Sequence, residues 1–564
     1  MRRPNKLAEP GDSHLLWTIA LLVGALLTAV VLAVVLGFVA APRHDPSTIA
    51  SSDQRRFSWP VFGTGMGLIV LASIGVVFAF VLPRRSRSRV DSSAKYMSTR
   101  KDLAGLSEAK QRADAERLGV TDVGSGVPIG QMVNGGSVLA SSYEHVRIAI
   151  LGPRAGKTSS VAIREVMETN GPSIVTSNKR DIVDATRGPR SERGLVRVYD
   201  IQNLVGEKPT WWWNPLSFVH NLETAERLAG IFVASATGRD AKTDAYFSAA
   251  AKDYLSALLL AAAVGKQPLS ILITWMARPD TGEPVDILSM ADYVDVARTL
   301  RATLDLTPKQ RDGVIGTAQP FVAFLRNPEY LPWIQQTGPD DDRPHFDPEK
   351  FVSSKADTLY LVSKEGEGSA RAITAALTMA TLDAADRLGA ASPGMRVPRP
   401  IMATLDEAAN VVRWPELPDL YSHYGSRGII LSVFLQSWTQ GVEAWTEGGM
   451  KKMWSAANIR MVGAGVAEVG FLRELAELVG KRDVRSSSLS TSMRSGSSTS
   501  TSLRREEILD VSEIGALPPG RALVFSSGNP PALVKLIPWW TREYADSVAT
   551  SRDYFEKNEE GKNS

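Results

Sequence analysis

The sequence contains no cysteine, which excludes disulfides, iron–sulfur clusters and a cysteine nucleophile. Its six histidines (His14, His44, His145, His220, His345, His423) are scattered without ligand spacing, which argues against a zinc site. An excess of one charge is also missing. Lysine and arginine number 64 against 61 acidic residues, a net of +3, so composition alone does not mark a nucleic-acid binder. Length is what the chain has: 564 residues suffice for two or three domains and a sizeable core.

The stretch around which the rest is organised is VRIAILGPRAGKTSS, from Val146 to Ser160. Val146 to Ile150 reads as a buried strand, Gly152-Pro153-Arg154-Ala155-Gly156 as a turn, and Lys157-Thr158-Ser159 as the opening of a helix. Strand, glycine turn and helix start make a phosphate-binding P-loop. The turn's N–H groups and the helix dipole both face an anion there. In that reading Lys157 reaches the β- and γ-phosphates of ATP and the Thr158 hydroxyl sits on Mg²⁺. The spacing departs from G-x-x-x-x-G-K-[ST] in one respect: Leu151 holds the first glycine position and Gly152 follows one residue later.

Two uncharged apolar stretches, 15–41 and 58–82, are each long enough to cross a bilayer, for which about 20 residues suffice. The first exceeds the roughly 7–15 residues of a cleaved signal's apolar core, and a second follows at once. Arg2, Arg3 and Lys6 precede the first, while Arg84, Arg85, Arg87 and Arg89 follow the second. The bias places both termini in the cytoplasm with a short external loop, in a multi-pass protein of the cell membrane.

Beyond residue 90 the pattern is an interrupted α/β domain. Strands are expected at 172–177 and 195–200, with Asn178, Lys179 and Asp181 at the ligand-facing end of the first of these, or in an ordinary polar loop. Trp211, Trp212 and Trp213 cannot all face one core, so some are expected to meet another domain or subunit. Residues 221–348 read as an inserted helical domain, and strand signals return at Asp357–Ser363. The strand Pro400–Leu405 ends in Asp406-Glu407. A solvated acidic turn is the plain reading of such a pair, but downstream of a P-loop it fits Walker B. Asp406 would hold Mg²⁺ and Glu407 would polarise the attacking water.

The strand from Gly428 to Leu435 ends in Gln436, placed to sense the γ-phosphate and orient water, and Arg427 before it is either an arginine finger for a neighbouring subunit's site or a surface arginine. The Ser/Thr-rich run 486–502 reads as a flexible loop, 521–526 and 533–537 as a closing hairpin, and the tail beyond Arg542 as frayed. The expected organisation is a membrane anchor (1–89), a nucleotide-binding domain (90–220 and 349–545), an inserted all-α domain (221–348) and a polar tail (546–564).

Taken together, the two spans, GPRAGKT, the asparagine-proline-leucine at 214–216, LDEAANVVRWPELPDL, SRGIILSVFLQSWTQ and LPPGRALVFSS resemble type IV coupling proteins of the TraG/TraD conjugative family. The resemblance covers nearly the whole length. It implies a RecA-like P-loop NTPase domain with an inserted all-α domain on two N-terminal transmembrane helices. It also implies a hexameric ATPase that hands relaxase–DNA substrates to a type IV secretion channel. By position it implies Lys157, Thr158 and the rest of 152–159 for ATP and Mg²⁺, Asp406 and Glu407 for Walker B, and Gln436 for the sensor. In the family the arginine before the glutamine strand follows its glycine directly, whereas here Gly425-Ser426-Arg427 intervenes. The all-α domain is where the family selects substrate. A receptor for protein effectors that moves no DNA is the alternative. A chromosome translocase of the FtsK kind would need more spans and a terminal winged helix, and a scaffold with a dead site would rest on the P-loop spacing alone.

Overall fold

A computed structural model of the chain describes residues 34–35, 58–67, 88–236, 245–364, 370–492 and 496–560. The chain divides into two units, Met1–Arg87 and Ser88–Ser564. In the first unit residues 59–67 are helical; nearly all of the expected span 15–41 and most of that at 58–82 lie outside the described residues.

The second unit is built on a sheet of eleven strands. Strands β1 (Val127–Met132) and β2 (Val138–Ser141) precede β3 (Arg147–Ile150), β4 (Ser173–Ser177) and β5 (Val196–Tyr199). After a long helical stretch come β6 (Thr358–Val362), β7 (Ile401–Leu405), β8 (Ile429–Leu435) and β9 (Ile459–Gly463). Strands β10 (Lys481–Ser492) and β11 (Gly496–Glu507) form a separate two-stranded sheet, and β12 (Arg521–Ser526) and β13 (Ala532–Lys535) complete the large one. The order across it is β2-β1-β13-β12-β9-β3-β8-β7-β4-β6-β5. From β9 to β5 neighbouring strands are parallel; β12, β13, β1 and β2 extend the sheet antiparallel.

Every residue of β4, β6, β7 and β8 is buried, so both faces of the parallel part are covered. That is why these strands read as continuous apolar runs rather than alternations. From β3 the chain passes through α1 (Ile163–Glu168) to β4, three places away on one side, while β9 lies against β3 on the other. Such a reversal opens a crevice at the carboxyl ends of the strands, where open α/β sheets bind ligands.

Helix α2 (Asp181–Ser191) follows β4. Between β5 and β6, which are neighbours in the sheet, residues 222–352 hold helices and helical turns and, among the described residues, no strand of the sheet. They begin with α3 (Leu222–Ala236) and α4 (Ala245–Val264). Among the described residues one helix, Tyr246–Val264, is apolar and long enough to cross a membrane; it packs as the buried centre of this bundle. The three tryptophans sit at the bundle's neck. Trp211 meets Tyr199, Trp333 and Phe346 edge-on or tilted, and Trp213 is fully buried. Trp212 is half-buried, and its backbone pairs with the returning chain: it donates to Pro344 O (3.2 Å) and accepts from Phe346 N (2.7 Å).

Helix α5 (Arg371–Ala391) links β6 to β7, and α6 (Leu417–Arg427) leads into β8. Helix α7 (Trp438–Ala456, broken at Trp445–Thr446) and α8 (Val469–Val479) follow β8 and β9.

Three stretches differ from expectation. Residues 127–141, where no strand was expected, form β1 and β2, because β13, remote in sequence, supplies the pairing edge. Strands β10 and β11 pair antiparallel along their whole length, Lys481 opposite Glu507 and Ser492 opposite Gly496, where a flexible loop was expected at 486–502. The polar tail is largely helix α9 (Ala545–Glu560), packed on α2. Ser551 donates its hydroxyl to Asp184 O (2.6 Å) and accepts from Gly188 N (3.1 Å). The Arg187 guanidinium lies 3.2 Å from the centre of the Phe555 ring, and Val548 is fully buried. Gly188 permits this approach, since a Cβ there would lie 2.7 Å from Ser551 Oγ. Truncation after residue 544 is therefore expected to lower the thermal midpoint by at least about 2 °C. An unchanged midpoint would mean that the helix contributes nothing to the fold.

Candidate active site

The site forms at the carboxyl ends of three adjacent strands, β3, β8 and β7. The P-loop follows β3. Leu151, at the position where a glycine is usual, is fully buried and packs on Gly463, and its N–H donates to Leu435 O (3.0 Å). The chain turns one residue later, at Gly152, whose N–H donates to Ala464 O (2.9 Å) and whose Cα lies against Gly465. A Cβ at Gly152 would collide with the Gly465 carbonyl, which explains why glycine stands there.

Within the turn Arg154 (φ 60°) and Gly156 (φ 90°) adopt left-handed backbone, the alternation that gathers N–H groups into an anion-binding nest. Ser160 N closes back on Gly156 O at 2.9 Å. A helix begins at Lys157, and its first turn, Thr158–Ala162, is a wide π turn, a form common at functional sites. The leading N–H groups of a helix have no intrahelical partner and point out of its end.

Asp406 and Glu407 follow β7. Glu407 holds left-handed backbone (φ 52°, ψ 40°), strained for a residue with a side chain. Its N–H donates to Asp406 Oδ1 (3.1 Å) and its carbonyl accepts from Asn410 N (2.8 Å) and Val411 N (2.9 Å), which hold the turn. Thr176 Oγ1, at the end of β4, donates to Asp406 O at 3.0 Å. Lys157 Nζ lies 3.0 Å from Asp406 Oδ1 and is also paired with Glu407 Oε1. From the end of β8, Gln436 Nε2 donates to Glu407 Oε1 at 2.8 Å. Lys157 and Gln436, far apart in sequence, thus meet around one carboxylate pair.

Burial alone would lower the Lys157 ammonium, but Asp406 and Glu407 outweigh it and raise it above its ordinary value. Burial pushes the Asp406 carboxyl up, against the pull of Lys157. For Glu407 burial acts in the same sense, yet Lys157 and two glutamine amides hold it below the usual range. One cation between two carboxylates leaves an excess negative charge, and its burden falls on Asp406. This donor set, a carboxylate under-compensated by protein, with Thr158 opening the facing helix, fits a divalent cation joined to phosphate oxygens.

The structure does not bring Arg427 to this group. It ends α6 just before the amino end of β8, away from the carboxyl ends that carry the site, donates to Met395 O (3.0 Å) and lies 3.3 Å from Asp386 Oδ1. Asn178 and Lys179 occupy the turn from β4 into α2, which Asp181 opens.

Two features escape a reading by motif. Gln440, one helical turn past Gln436, donates to Glu407 Oε2 at 3.3 Å. Beneath the site, Arg147 of β3 pairs with Glu165 of α1 at 2.8 Å, both fully buried. Thr404 of β7 (3.2 Å) and Ser432 of β8 (2.9 Å) donate to the same carboxylate, so the three site-bearing strands and the P-loop helix share one anchor. The only sequence signals for these were the repeat of glutamine in QSWTQ and an arginine inside an apolar strand.

Residues 400–519 match a family model described as the TraM recognition site of TraD and TraG. Among solved structures, the unbound monoclinic form of the bacterial conjugative coupling protein TrwBdeltaN70 is 13% identical, with a TM-score of 0.50 over 72% of this chain and 88% of that one. Its trigonal form in complex with sulphate is also 13% identical, with a TM-score of 0.50 over 70% and 86%. TrwB in complex with ADP and Mg²⁺ is 13% identical, with a TM-score of 0.49 over 70% and 85%. No curated protein matches the sequence. At such identity the structural likeness is one of fold, a mixed α/β body on a large parallel sheet. With the match over residues 400–519 beside that shared fold, the chain resembles the type IV coupling proteins of the TraG/TraD family.

Proposed function

We propose that the chain is an ATP hydrolase that serves conjugative transfer as a membrane-anchored coupling protein. The observation that carries the reading is the meeting of Lys157, Asp406, Glu407 and Gln436 at the ends of three adjacent parallel strands. In this reading Lys157 and the loop 152–159, through the N–H groups of Gly156 to Ser159, bind the phosphates of ATP, and Thr158 and Asp406 hold Mg²⁺. The bound metal supplies positive charge that offsets the phosphates. Glu407 orients water and takes its proton, and Gln436 reports the γ-phosphate. Lys157 exchanges its carboxylate partners for phosphate when nucleotide enters, so no charge is left buried alone.

Gly152 tests the cradle itself. Gly152→Ala is expected to weaken ATP binding by tenfold or more, on the order of 1.4 kcal/mol, because the added Cβ pushes the loop off Gly465. Titration calorimetry with ATP and Mg²⁺ measures it; unchanged affinity would remove the loop from the binding site.

DNA is the proposed cargo, contacted through its backbone without regard to sequence. Relaxase and other relaxosome proteins, the secretion channel and a homo-hexameric ring are the proposed partners, with two N-terminal spans as the anchor. The match to a TraM recognition region supports the relaxosome contact. The test is ATP turnover of the full chain with single-stranded, double-stranded or no DNA. Stimulation by DNA is expected. Turnover indifferent to DNA would move the chain to the alternative, a receptor for secreted proteins.

A further inference from the structure

We propose that Gln440 is a positioning residue of this centre: its side-chain amide holds the Glu407 carboxylate by the oxygen that Gln436 leaves unbound. The inference rests on the ATPase reading above. Gln436 Nε2 reaches Glu407 Oε1 at 2.8 Å, whereas Gln440 Nε2 reaches Oε2 at 3.3 Å. One amide on one oxygen leaves the carboxylate free to turn about its terminal bond. Two amides on different oxygens fix its plane, and a base acts only when its lone pair is aimed at the proton it takes.

The orientation of the Gln440 amide is set by the rest of the network. Its Oε1 accepts the backbone N–H of Gln436 at 2.8 Å, so the nitrogen is the atom left to face Glu407. Its own backbone N–H donates to Ser437 Oγ at 3.1 Å, the N-cap bond of α7. Together these make a capping box whose return bond falls one residue early, on Gln436 rather than Ser437. The first turn of α7 is fixed further by Glu468, which accepts from Trp438 N (3.1 Å) and Thr439 N (2.8 Å). Glu468 lies in the segment after β9 whose Ala464 carbonyl receives Gly152 N. The amide therefore stands on a frame braced against the P-loop, and a single side chain serves both as helix cap and as carboxylate clamp.

The two roles separate by substitution, measured on the full chain as kcat, KM for ATP and thermal midpoint. Gln440→Glu keeps an acceptor for Gln436 N–H and an acid at a helix N-terminus, but sets a carboxylate against Glu407. It is expected to keep the cap while kcat falls roughly tenfold or more, with KM for ATP within about twofold. Gln440→Ala loses both midpoint and kcat. Ser437→Ala loses the cap bond alone, so its midpoint falls while kcat stays. Wild-type kcat in Gln440→Glu, or a Ser437→Ala kcat as low as that of Gln440→Ala, overturns the proposal, since the cap would then explain everything. A wild-type chain without ATP turnover overturns the ATPase reading and this inference with it. Active wild type with unaffected Gln440 variants overturns this inference alone.

Discussion

Glu407→Gln is expected to abolish steady-state ATP hydrolysis while ATP still binds. The substitution keeps length and shape but removes the group that accepts the water's proton. Loss of a general base costs about 10²–10⁴ in rate. Binding should hold or tighten, because Lys157 is released from one of its two carboxylates and is freer to meet phosphate. Lys157→Ala should differ in kind, losing affinity together with turnover and leaving Asp406 and Glu407 repelling each other in a buried place. Phosphate release gives kcat and calorimetry gives affinity. Wild-type kcat in Glu407→Gln would make the carboxylate a structural residue and return the DE pair to its plain reading as an acidic turn.

The second large effect lies under the site. Arg147→Met leaves Glu165 ionised or protonated in a place where every neighbour is buried. Burial raises the Glu165 carboxyl and lowers the Arg147 guanidinium, so neither charge is kept there without the other. Breaking one half of a buried pair costs about 3–5 kcal/mol. The double variant Arg147→Met with Glu165→Gln should regain at least half of that, because an amide oxygen still accepts from Thr404 or Ser432 and no lone charge remains. The denaturation midpoint in urea reads both. A single variant no worse than the double would show that the pair is not what holds β3, β7, β8 and α1 together.

The parts of this site that were legible in the sequence are those whose geometry is local. GPRAGKT between an apolar strand and a helix, and DE or Gln at the end of a strand, declare where a side chain will stand. What brought them together is the strand order, with β8 seated between β3 and β7, and no single stretch encodes that. Gln440 was hidden for the same reason, since its partner lies 33 residues earlier. Strand β1, with Pro128, Gly130 and Gln131, has no alternation of its own and exists because Val534 and Lys535 offer it an edge. The run of serine and threonine at 486–502 reads as loop by composition, yet hydroxyl-bearing and β-branched residues accept extended backbone once a register is imposed. In α9 the inward residues Val548 and Ser551 are too few to announce a packed helix, and the fit depends on the missing Cβ of Gly188.

The proposed activity depends on a single centre made of Lys157, Asp406, Glu407 and Gln436, and ATP hydrolysis by the full chain reads out that centre. Phosphate release with Mg²⁺ is to be measured for the wild type beside Lys157→Ala. Steady turnover is expected in the wild type and less than about one per cent of it in the variant, a difference near 2.7 kcal/mol in barrier. Equal rates in the two proteins, or none in either, would contradict it.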